Sequence, residues 1–470
     1  MAQRPRRLLL TPIVLLAVGI VYTLCFEPGA TLVTVVQHAL WPYTRDVESL
    51  PDFSRIIHHR TISHDELKLD QRHGRLITVG DIHGMNHSFH SLLGELHYDP
   101  SKDKLIHHGD FLTKGPASNA VLSWMAAHNI TGVRGNQDQA CLEWRSWQNW
   151  IESLQGGRKW LRSVEKRWKD ARKENKDLSK TKWLRKQRKE AKGRAEQEWW
   201  DRLPKDWKPF NTHYRIARHM TEAEYEYLLS LPLILHAPSI HSFFVHGGML
   251  PYKLLPTPPY AASQPLAHIP SHDEKADEDK LRRMQEEALL DIPENRVPWN
   301  VLNIRSVKRG RHVSRENFDG KPWSSIWNAA MKRCVGYGHL SSTDLVDAEE
   351  SPSWARTTMR IFKQGPDFDI ERATLPCKPS MIVYAHAATR GWDIKRWSIG
   401  TDTGCVYGQR LTAMVLGAKT KDFPTSAIED GKRDDEDEDT DDHPAAMRVR
   451  TVKYGDSGRA HLVSVRCHLK

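Results

Sequence analysis

Cysteine is scarce in this 470-residue chain: six are present, at positions 25, 141, 334, 377, 405 and 467. They form no C-x-x-C pair and no dense framework, which excludes a small fold stapled by disulfides. One or two disulfides remain open, and spacing alone does not pair them. Charge is absent from Leu8 to Phe26, a run of 19 residues. At 1.5 Å per residue such a run reaches about 28 Å as a helix, close to the thickness of a bilayer core. Arg4, Arg6 and Arg7 precede it, and no small-x-small cleavage site follows closely. An uncleaved transmembrane anchor at 8–26 is therefore favoured over a cleaved signal peptide, with residues 1–7 cytosolic and the rest across the membrane. Residues 27–70 then read as a tether, with an amphipathic patch near 33–41.

The informative part of the chain is a set of apolar runs that each end in a glycine and a polar residue. Leu76-Ile-Thr-Val-Gly-Asp-Ile-His-Gly84 offers Asp81 and His83, Lys104-Leu-Ile-His-His-Gly-Asp110 offers Asp110, and Ile130-Thr-Gly-Val-Arg-Gly-Asn136 offers Asn136. Runs of that length suit buried parallel strands. The stretches between them, from Phe89 and from Ser118, have helical apolar spacing. A βαβαβ unit with right-handed crossovers brings the carboxyl ends of its strands to one edge. Two later runs, Ser242-Phe-Phe-Val-His-Gly-Gly248 and Met381-Ile-Val-Tyr-Ala-His-Ala387, offer His246 and His386 in the same manner. Hard oxygen and imidazole donors, with one carboxylate able to bridge, are what a pair of divalent cations requires. Any one of the 25 histidines is more readily a core or surface imidazole, but five strand-end motifs in this order point to a metal site.

Gly80-Asp-Ile-His-Gly84, Gly109-Asp-Phe-Leu-Thr-Lys-Gly115, Gly135-Asn-Gln-Asp138, Val245-His-Gly-Gly248 and Ala385-His386 resemble the motifs of the calcineurin-like metallophosphoesterases, in the phosphoprotein-phosphatase branch. Lys114-Gly-Pro116 and the segment from Gly400 to Ala413 are similar to the subgroup of bacterial symmetrical diadenosine-tetraphosphate hydrolases. With the N-terminal anchor, the likeness extends to fungal vacuolar endopolyphosphatases. The resemblance covers residues 75–135, 225–255, 295–340 and 380–467.

It implies an α/β domain over 71–467: a central β-sandwich of mixed sheets flanked by helices, preceded by one transmembrane helix. It also implies two divalent ions, Zn²⁺ favoured over Mn²⁺, Co²⁺ or Mg²⁺. Asp81 and His83 would hold the first, Asn136, His246 and His386 the second, and Asp110 would lie between both. A hydroxide bridging the ions would attack phosphorus in line. Lys114 stands where the family has a phosphate-clamping arginine; a lysine is a point charge without the bidentate fork. Arg305, in Val297-Pro-Trp-Asn-Val-Leu-Asn-Ile-Arg-Ser306, is a candidate second clamp, against the plainer reading of a surface ion pair.

Two departures from the family pattern bear on chemistry. Thr113 replaces an aspartate, and Gln137 stands where the family has the histidine that protonates the leaving group. A carboxamide has no proton to give, and general-acid assistance is worth about 10²–10⁴-fold. Phosphate leaving from an anhydride needs that proton less than an alkoxide does. Asp138, the neighbour that orients the family's histidine, is present and a candidate to act through water. The expectation is a polyphosphate-cleaving hydrolase in the vacuolar lumen. The alternatives are a phosphoprotein Ser/Thr phosphatase, a dinucleoside-polyphosphate hydrolase, or a metal-containing polyanion-binding protein with little turnover.

Residues 158–218 form a basic insertion with 22 Lys plus Arg against 9 Asp plus Glu, a local net of +13. The whole chain is +10, so the remainder is about −3. Tryptophans 160, 168, 183, 199, 200 and 207 are interleaved. A helical hairpin whose tryptophans pack on the domain competes with an electrostatic collar that gathers a polyanion. Nucleic acid would fit such a patch by stacking, but a site across the membrane argues against it and for inorganic polyphosphate. Residues 251–298 read as a proline-rich loop over the site, with a charged helix near 273–290. Residues 418–445, containing the acidic run 434–442, read as a disordered loop between strand candidates 410–417 and 459–467. Asn86-His-Ser88 and Asn129-Ile-Thr131 fit the glycosylation sequon.

Overall fold

The computed structural model describes residues 50–191, 193–254, 264–266, 277–337, 374–428 and 447–468. The expected anchor at 8–26 and the acidic run 434–442 lie outside the described residues, as do most of the tether and parts of the proline-rich loop. Among the described residues no helix is long and apolar enough to cross a membrane. Trp200–Lys205 falls in a separate small unit, and within it the Leu203 N–H donates to the Trp200 carbonyl at 3.2 Å. The sheets and the candidate site belong to the other unit, Phe53–Trp199 with Asp206–Lys470.

The strands of that unit, in chain order, are β1 (His59–Thr61), β2 (Arg75–Val79), β3 (Asp103–His107), β4 (Thr131–Gly132), β5 (Ile234–Ala237), β6 (Ser242–Val245), β7 (Ser306–Lys308), β8 (His312–Ser314), β9 (Lys321–Pro322), β10 (Met381–Tyr384), β11 (Ile394–Lys395), β12 (Ser398–Gly400), β13 (Arg410–Leu416), β14 (Met447–Tyr454) and β15 (Gly458–Arg466). One six-stranded sheet has the order β1-β5-β6-β10-β12-β11, and a second has β14-β15-β13-β2-β3-β4. In the second, β2, β3 and β4 are parallel neighbours while β13, β14 and β15 run antiparallel. Both sheets are therefore mixed, as the resemblance implies.

Alternation along the second sheet shows where the layers lie. Leu76, Met414, Leu416, Ala460 and Leu462 join a core with Phe243, Phe244, Ile382 and Val383 of the first sheet. Ile77, Val79, Leu411, Ala413, Val415, Val463 and Val465 point the other way and pack with Phe89, Leu92, Val121, Leu122 and Met125. Those last residues come from the helices Asn86–Glu95 and Ser118–Ala127, which cross over from β2 to β3 and from β3 to β4. A two-residue period sends alternate side chains to opposite faces, so one strand serves two cores. The architecture is a β-sandwich with helices outside.

Three expectations need correction. Residues 59–61 do not belong to a tether: β1 pairs in parallel with β5, and Ile62 and Leu67 are fully buried. Three residues are too few to show a period, so only the partner strand reveals them. Residues 418–428 are ordered in two short 3₁₀ turns, with Phe423 and Ala427 buried, rather than opening a disordered loop. β14 was not anticipated, although all eight of its residues pair with β15. Its outer half alternates with Arg450, Lys453 and other polar residues, which masks the buried Met447, Val449 and Tyr454. The basic insertion is helical, as expected, over Gly157–Glu174, Lys180–Lys189 and Thr212–His219.

Candidate metal centre

Asp81, His83, Asp110, Asn136, His246 and His386 follow β2, β3, β4, β6 and β10 at one edge of the sandwich. Two groups of ligand atoms lie within 4.8 Å of one another, Asp81 with His83 and Asp110, and Asp110 with His246 and His386. Asp110 is common to both. Its Oδ2 lies 3.7 Å from His83 Nε2 and its Oδ1 3.5 Å from His246 Nε2, so its two oxygens face two different groups. Asn136 joins the second group, its Oδ1 lying 3.1 Å from His246 Nε2. All six expected donors are thus brought together, with Asp110 common to both groups.

Backbone carbonyls set the imidazole orientations. His83 Nδ1 lies 3.0 Å from the Leu112 carbonyl, His246 Nδ1 2.9 Å from that of His108, and His386 Nε2 3.3 Å from that of Asn303. A carbonyl only accepts, so the facing nitrogen carries the proton and the opposite nitrogen keeps a free lone pair. Burial lowers the pKa of all three rings, most strongly for His386, favouring the neutral form that a metal needs. Asp81 is pushed well above the usual carboxylate range by burial and then by the charges of Asp402 and Asp110. Neutral imidazoles around crowded, buried carboxylates make a donor set that a divalent cation satisfies. The lone pair on His83 Nε2 already draws a cation, accepting from the Lys114 ammonium at 2.7 Å.

The loops that carry these donors are tightly interlocked. His83, Asp110 and His386 all adopt positive φ, at 47°, 47° and 71°, a left-handed conformation unfavourable for side chains of this kind. Three such residues among six candidate ligands place backbone strain at the site itself. Glycines allow the approach: a Cβ on Gly135 would stand 2.2 Å from both Asp110 N and Asp110 Oδ1. The Gln137 N–H donates to Asp110 Oδ1 at 2.8 Å, and His386 N–H to Asp81 Oδ1 at 3.3 Å.

The donors open onto a cleft of about 230 Å³ lined by Asp81, Asp110, Lys114, Asn136, Gln137, Asn303, Arg305, Arg315, Glu316 and His386. Lys114 and Arg305 therefore both reach it. Arg305 is no surface ion pair: its Nη1 donates to the Arg315 carbonyl at 2.7 Å and its Nη2 to the His386 carbonyl at 2.9 Å. Asp138 is placed differently from the expectation. It is fully buried beneath the cleft, with Oδ1 accepting from Leu112 N–H and Oδ2 from Gly135 N–H. Burial and the charge of Asp110 push its pKa up to about 8. Asp138 latches the loop after β4 to the loop after β3 and does not line the cleft, because backbone donors claim both of its oxygens.

Sequence reasoning passed over several residues here. Asp402, buried and following β12, acts electrostatically on Asp81, His83, His246 and Arg305. An acid at the end of one more apolar run was its available signal. Asn303 ends the short helix Pro298–Asn303, and Arg315 and Glu316 directly follow β8; neither position carries a pattern of its own. His213, from the end of the basic insertion, donates to Gln137 and had no signal at all.

Residues 74–232 match the calcineurin-like phosphoesterase family. That span carries Asp81, His83, Asp110 and Asn136, and leaves out His246 and His386. Over 62 residues the chain is 44% identical to the symmetrical bis(5'-nucleosyl)-tetraphosphatase of Methylobacillus flagellatus, covering 13% of this chain and 22% of that protein. Over 80 residues it is 38% identical to serine/threonine-protein phosphatase 1 of Salmonella typhimurium, covering 17% of this chain and 37% of that one. The chain thus spans well under two thirds of either relative. Among solved structures, a provisionally assigned diadenosine tetraphosphatase aligns over 76% of this chain and 93% of its own, at 18% identity and a TM-score of 0.37. Residues 74–232 thus resemble a calcineurin-like phosphoesterase domain, and Asp81, His83, Asp110 and Asn136 lie in the strand-end loops of that span.

Proposed function

We propose that this protein is a metal-dependent phosphoesterase that hydrolyses phosphoanhydride bonds, with inorganic polyphosphate as its substrate. The observation that carries this reading is Asp110, whose two carboxylate oxygens face separate clusters of buried donors. Two divalent ions held there would act as Lewis acids toward phosphate oxygens and acidify water. The chain's own residues do the rest. Lys114, Arg305 and Arg315 supply positive charge along the cleft, suited to an anionic phosphate chain. The rings of His83, His246 and His386, which burial favours in the neutral form, add no positive charge to the site. Gln137, a carboxamide with no proton to give, lines the cleft, which favours anhydrides over serine phosphoesters.

The basic insertion supports a polyanionic substrate and weighs against nucleic acid. Tryptophans 160, 168, 183, 199 and 207 are buried or half-buried, and Trp168 stacks on Phe210 while Trp160 stacks on Trp199. They are used in packing, so the charged face remains without a stacking platform. The disulfides Cys334–Cys377 and Cys405–Cys467 favour an oxidising compartment, in keeping with an anchor at 8–26 and a luminal domain. A dinucleoside tetraphosphate is the second reading, favoured by the named relative that is 44% identical over 62 residues.

Full-length protein, stripped of metal and reloaded with Zn²⁺, Mn²⁺, Co²⁺ or Mg²⁺, would be assayed on polyphosphate, a dinucleoside tetraphosphate and a phosphopeptide. Shortening of polyphosphate with little release from the phosphopeptide is the expected result. Preferential release from the phosphopeptide would overturn the substrate assignment. Two ions bound with no hydrolysis of any of the three would make the protein a polyanion binder instead.

A further inference from the structure

Gln137 occupies the position from which the family's histidine would face the leaving group, and its side chain is held. Its Oε1 accepts from His213 Nε2 at 2.8 Å and from Thr113 Oγ1 at 3.3 Å. Both lone pairs of the carbonyl oxygen are then engaged, so the amide group is the end left for the cleft that Gln137 lines. The reverse orientation would turn a carbonyl oxygen toward an anionic substrate and ask both partners to accept. The backbone is held as well, since the Gln137 N–H is bonded to Asp110 Oδ1.

His213 arrives from far along the chain, at the second residue of the helix Thr212–His219, which closes the basic insertion. The start of that helix is clamped. Asn211 Oδ1 caps it by accepting from the Tyr214 N–H at 2.8 Å, and Gln148 Nε2 donates to the Tyr214 carbonyl at 3.2 Å. The Tyr214 hydroxyl donates to Glu165 Oε1 at 2.6 Å. Burial lowers the His213 pKa, consistent with a neutral ring that donates from Nε2. Thr113, the other partner, stands in place of the family's aspartate. The two departures from the family pattern at 113 and 137 are thus neighbours in one hydrogen-bonded unit completed by the insertion.

We propose that His213 and Thr113 lock Gln137 as a neutral hydrogen-bond donor to a phosphate oxygen of the substrate, making Gln137 the residue that selects for stable anionic leaving groups. This deepens the hydrolase reading and rests on it. Water adds across the P–O–P bond: its oxygen bonds to phosphorus, and the bridging oxygen departs with the bonding pair as a phosphate anion. The protons of water pass to the products and solvent, and Gln137 keeps its own. A donor of this kind stabilises charge on an oxygen without transferring a proton. An alkoxide, which must be protonated as it leaves, gains little from it. His213 is a positioning residue, acting only through Gln137.

The test compares wild type with Gln137→Leu, Gln137→His, His213→Ala and His213→Gln, each checked for unchanged metal content and thermal midpoint. Three measurements are made: inorganic phosphate affinity of the metal-loaded protein, kcat and KM on polyphosphate and on an alkyl phosphate, and the ring nitrogen resonances of His213. Gln137→Leu should lower kcat on polyphosphate about 10²-fold, as loss of one preorganised donor does, and weaken phosphate binding. His213→Ala should lose about tenfold in kcat, less than the full loss of the donor, and His213→Gln, which keeps a donor, should recover most of it. Gln137→His should raise turnover of the alkyl phosphate by roughly 10-fold or more without a matching gain on polyphosphate. Wild-type His213 should carry its proton on Nε2. An Nδ1–H tautomer, or phosphate affinity unchanged in both Gln137→Leu and His213→Ala, would overturn the proposal. Should wild type hydrolyse nothing, the tautomer and phosphate-binding measurements still decide the Gln137 assignment while the hydrolase reading fails separately.

Discussion

Two buried residues near the cleft show how differently a polar side chain is used in function and in folding. Asp110 presents one oxygen to each donor group, a role that needs two equivalent acceptors. Asp110→Asn replaces one oxygen with an NH₂ that cannot ligate a cation. Bound metal should fall from two ions per chain to one or none by elemental analysis, with hydrolysis reduced about 10³-fold or more, since Lewis-acid stabilisation is worth several kcal/mol. Arg134 lies two residues before Asn136 but serves the fold. Its guanidinium donates to the carbonyls of Leu228, Leu229 and Leu231, to those of Ser54 and Arg55, and to Gln139 Oε1. It therefore ties the end of β4 to the helix Glu222–Ser230 and to the incoming chain. Arg134→Met would strand several buried carbonyls and should cost about 3–5 kcal/mol in urea unfolding, with metal stoichiometry retained in whatever remains folded.

At the scale of elements, the helix Glu278–Leu290 shows how a segment read as loop cover is bound to the sheet. Leu289 and Leu290 are buried in the core between the layers, and Glu286 is fully buried beside β5. Its Oε2 accepts from His236 Nε2 at 2.8 Å and its Oε1 from His241 Nδ1 at 3.0 Å. Burial alone would raise the pKa of this carboxyl, but the two imidazoles outweigh it and hold it below its ordinary value. A depressed folded pKa means stability that is present above the unfolded value and lost as the pH falls through the folded one. Glu286→Gln should accordingly lower the thermal midpoint clearly at pH 6, while the gap to wild type narrows near pH 3. A gap that widened on acidification would contradict the ion-pair account. The strands divide by length in the same way. β2, β3, β6 and β10 are legible as apolar runs because both faces are covered, and β4 through the run Ile130–Asn136 that contains it, whereas the short strands β1 and β11 have no room for a pattern.

For the whole molecule, covalent closure and charge distribution matter more than any single strand. Cys405–Cys467 joins the loop after β12 to the chain end beyond β15, across a separation of 62 residues, and Cys334–Cys377 closes 43. Loops of this size restrict the unfolded chain, so Cys405→Ser should cost about 2–4 kcal/mol, read as a drop in unfolding midpoint that reducing agent reproduces in wild type. Cys141 is the free cysteine among the described residues; it is buried, and burial raises its thiol pKa, so it should resist alkylation until the protein unfolds. The positive charge of the insertion is also organised rather than diffuse. Arg218 pairs with Glu152 at 2.7 Å and with Glu165 at 2.9 Å, which holds the last helix of the insertion against its neighbours. The arrangement that brings His213 to Gln137 thus depends on packing across more than 70 residues of sequence.

The ligand types, their order and their place at strand ends were set by local sequence, because an apolar run followed by glycine and a polar side chain records burial and a sharp turn within a few residues. The sandwich followed from the same runs together with family resemblance. What the tertiary structure alone decided were relations between distant segments: the disulfide pairing, the capture of residues 59–61 by β5, and the retreat of Asp138 beneath the cleft. The approach of Asp402 to Asp81 and of His213 to Gln137 belongs with them. None of these leaves a periodic trace, since each depends on where two separately folded loops meet once the layers close. Periodicity reports which face a residue turns, and only packing determines what it then touches.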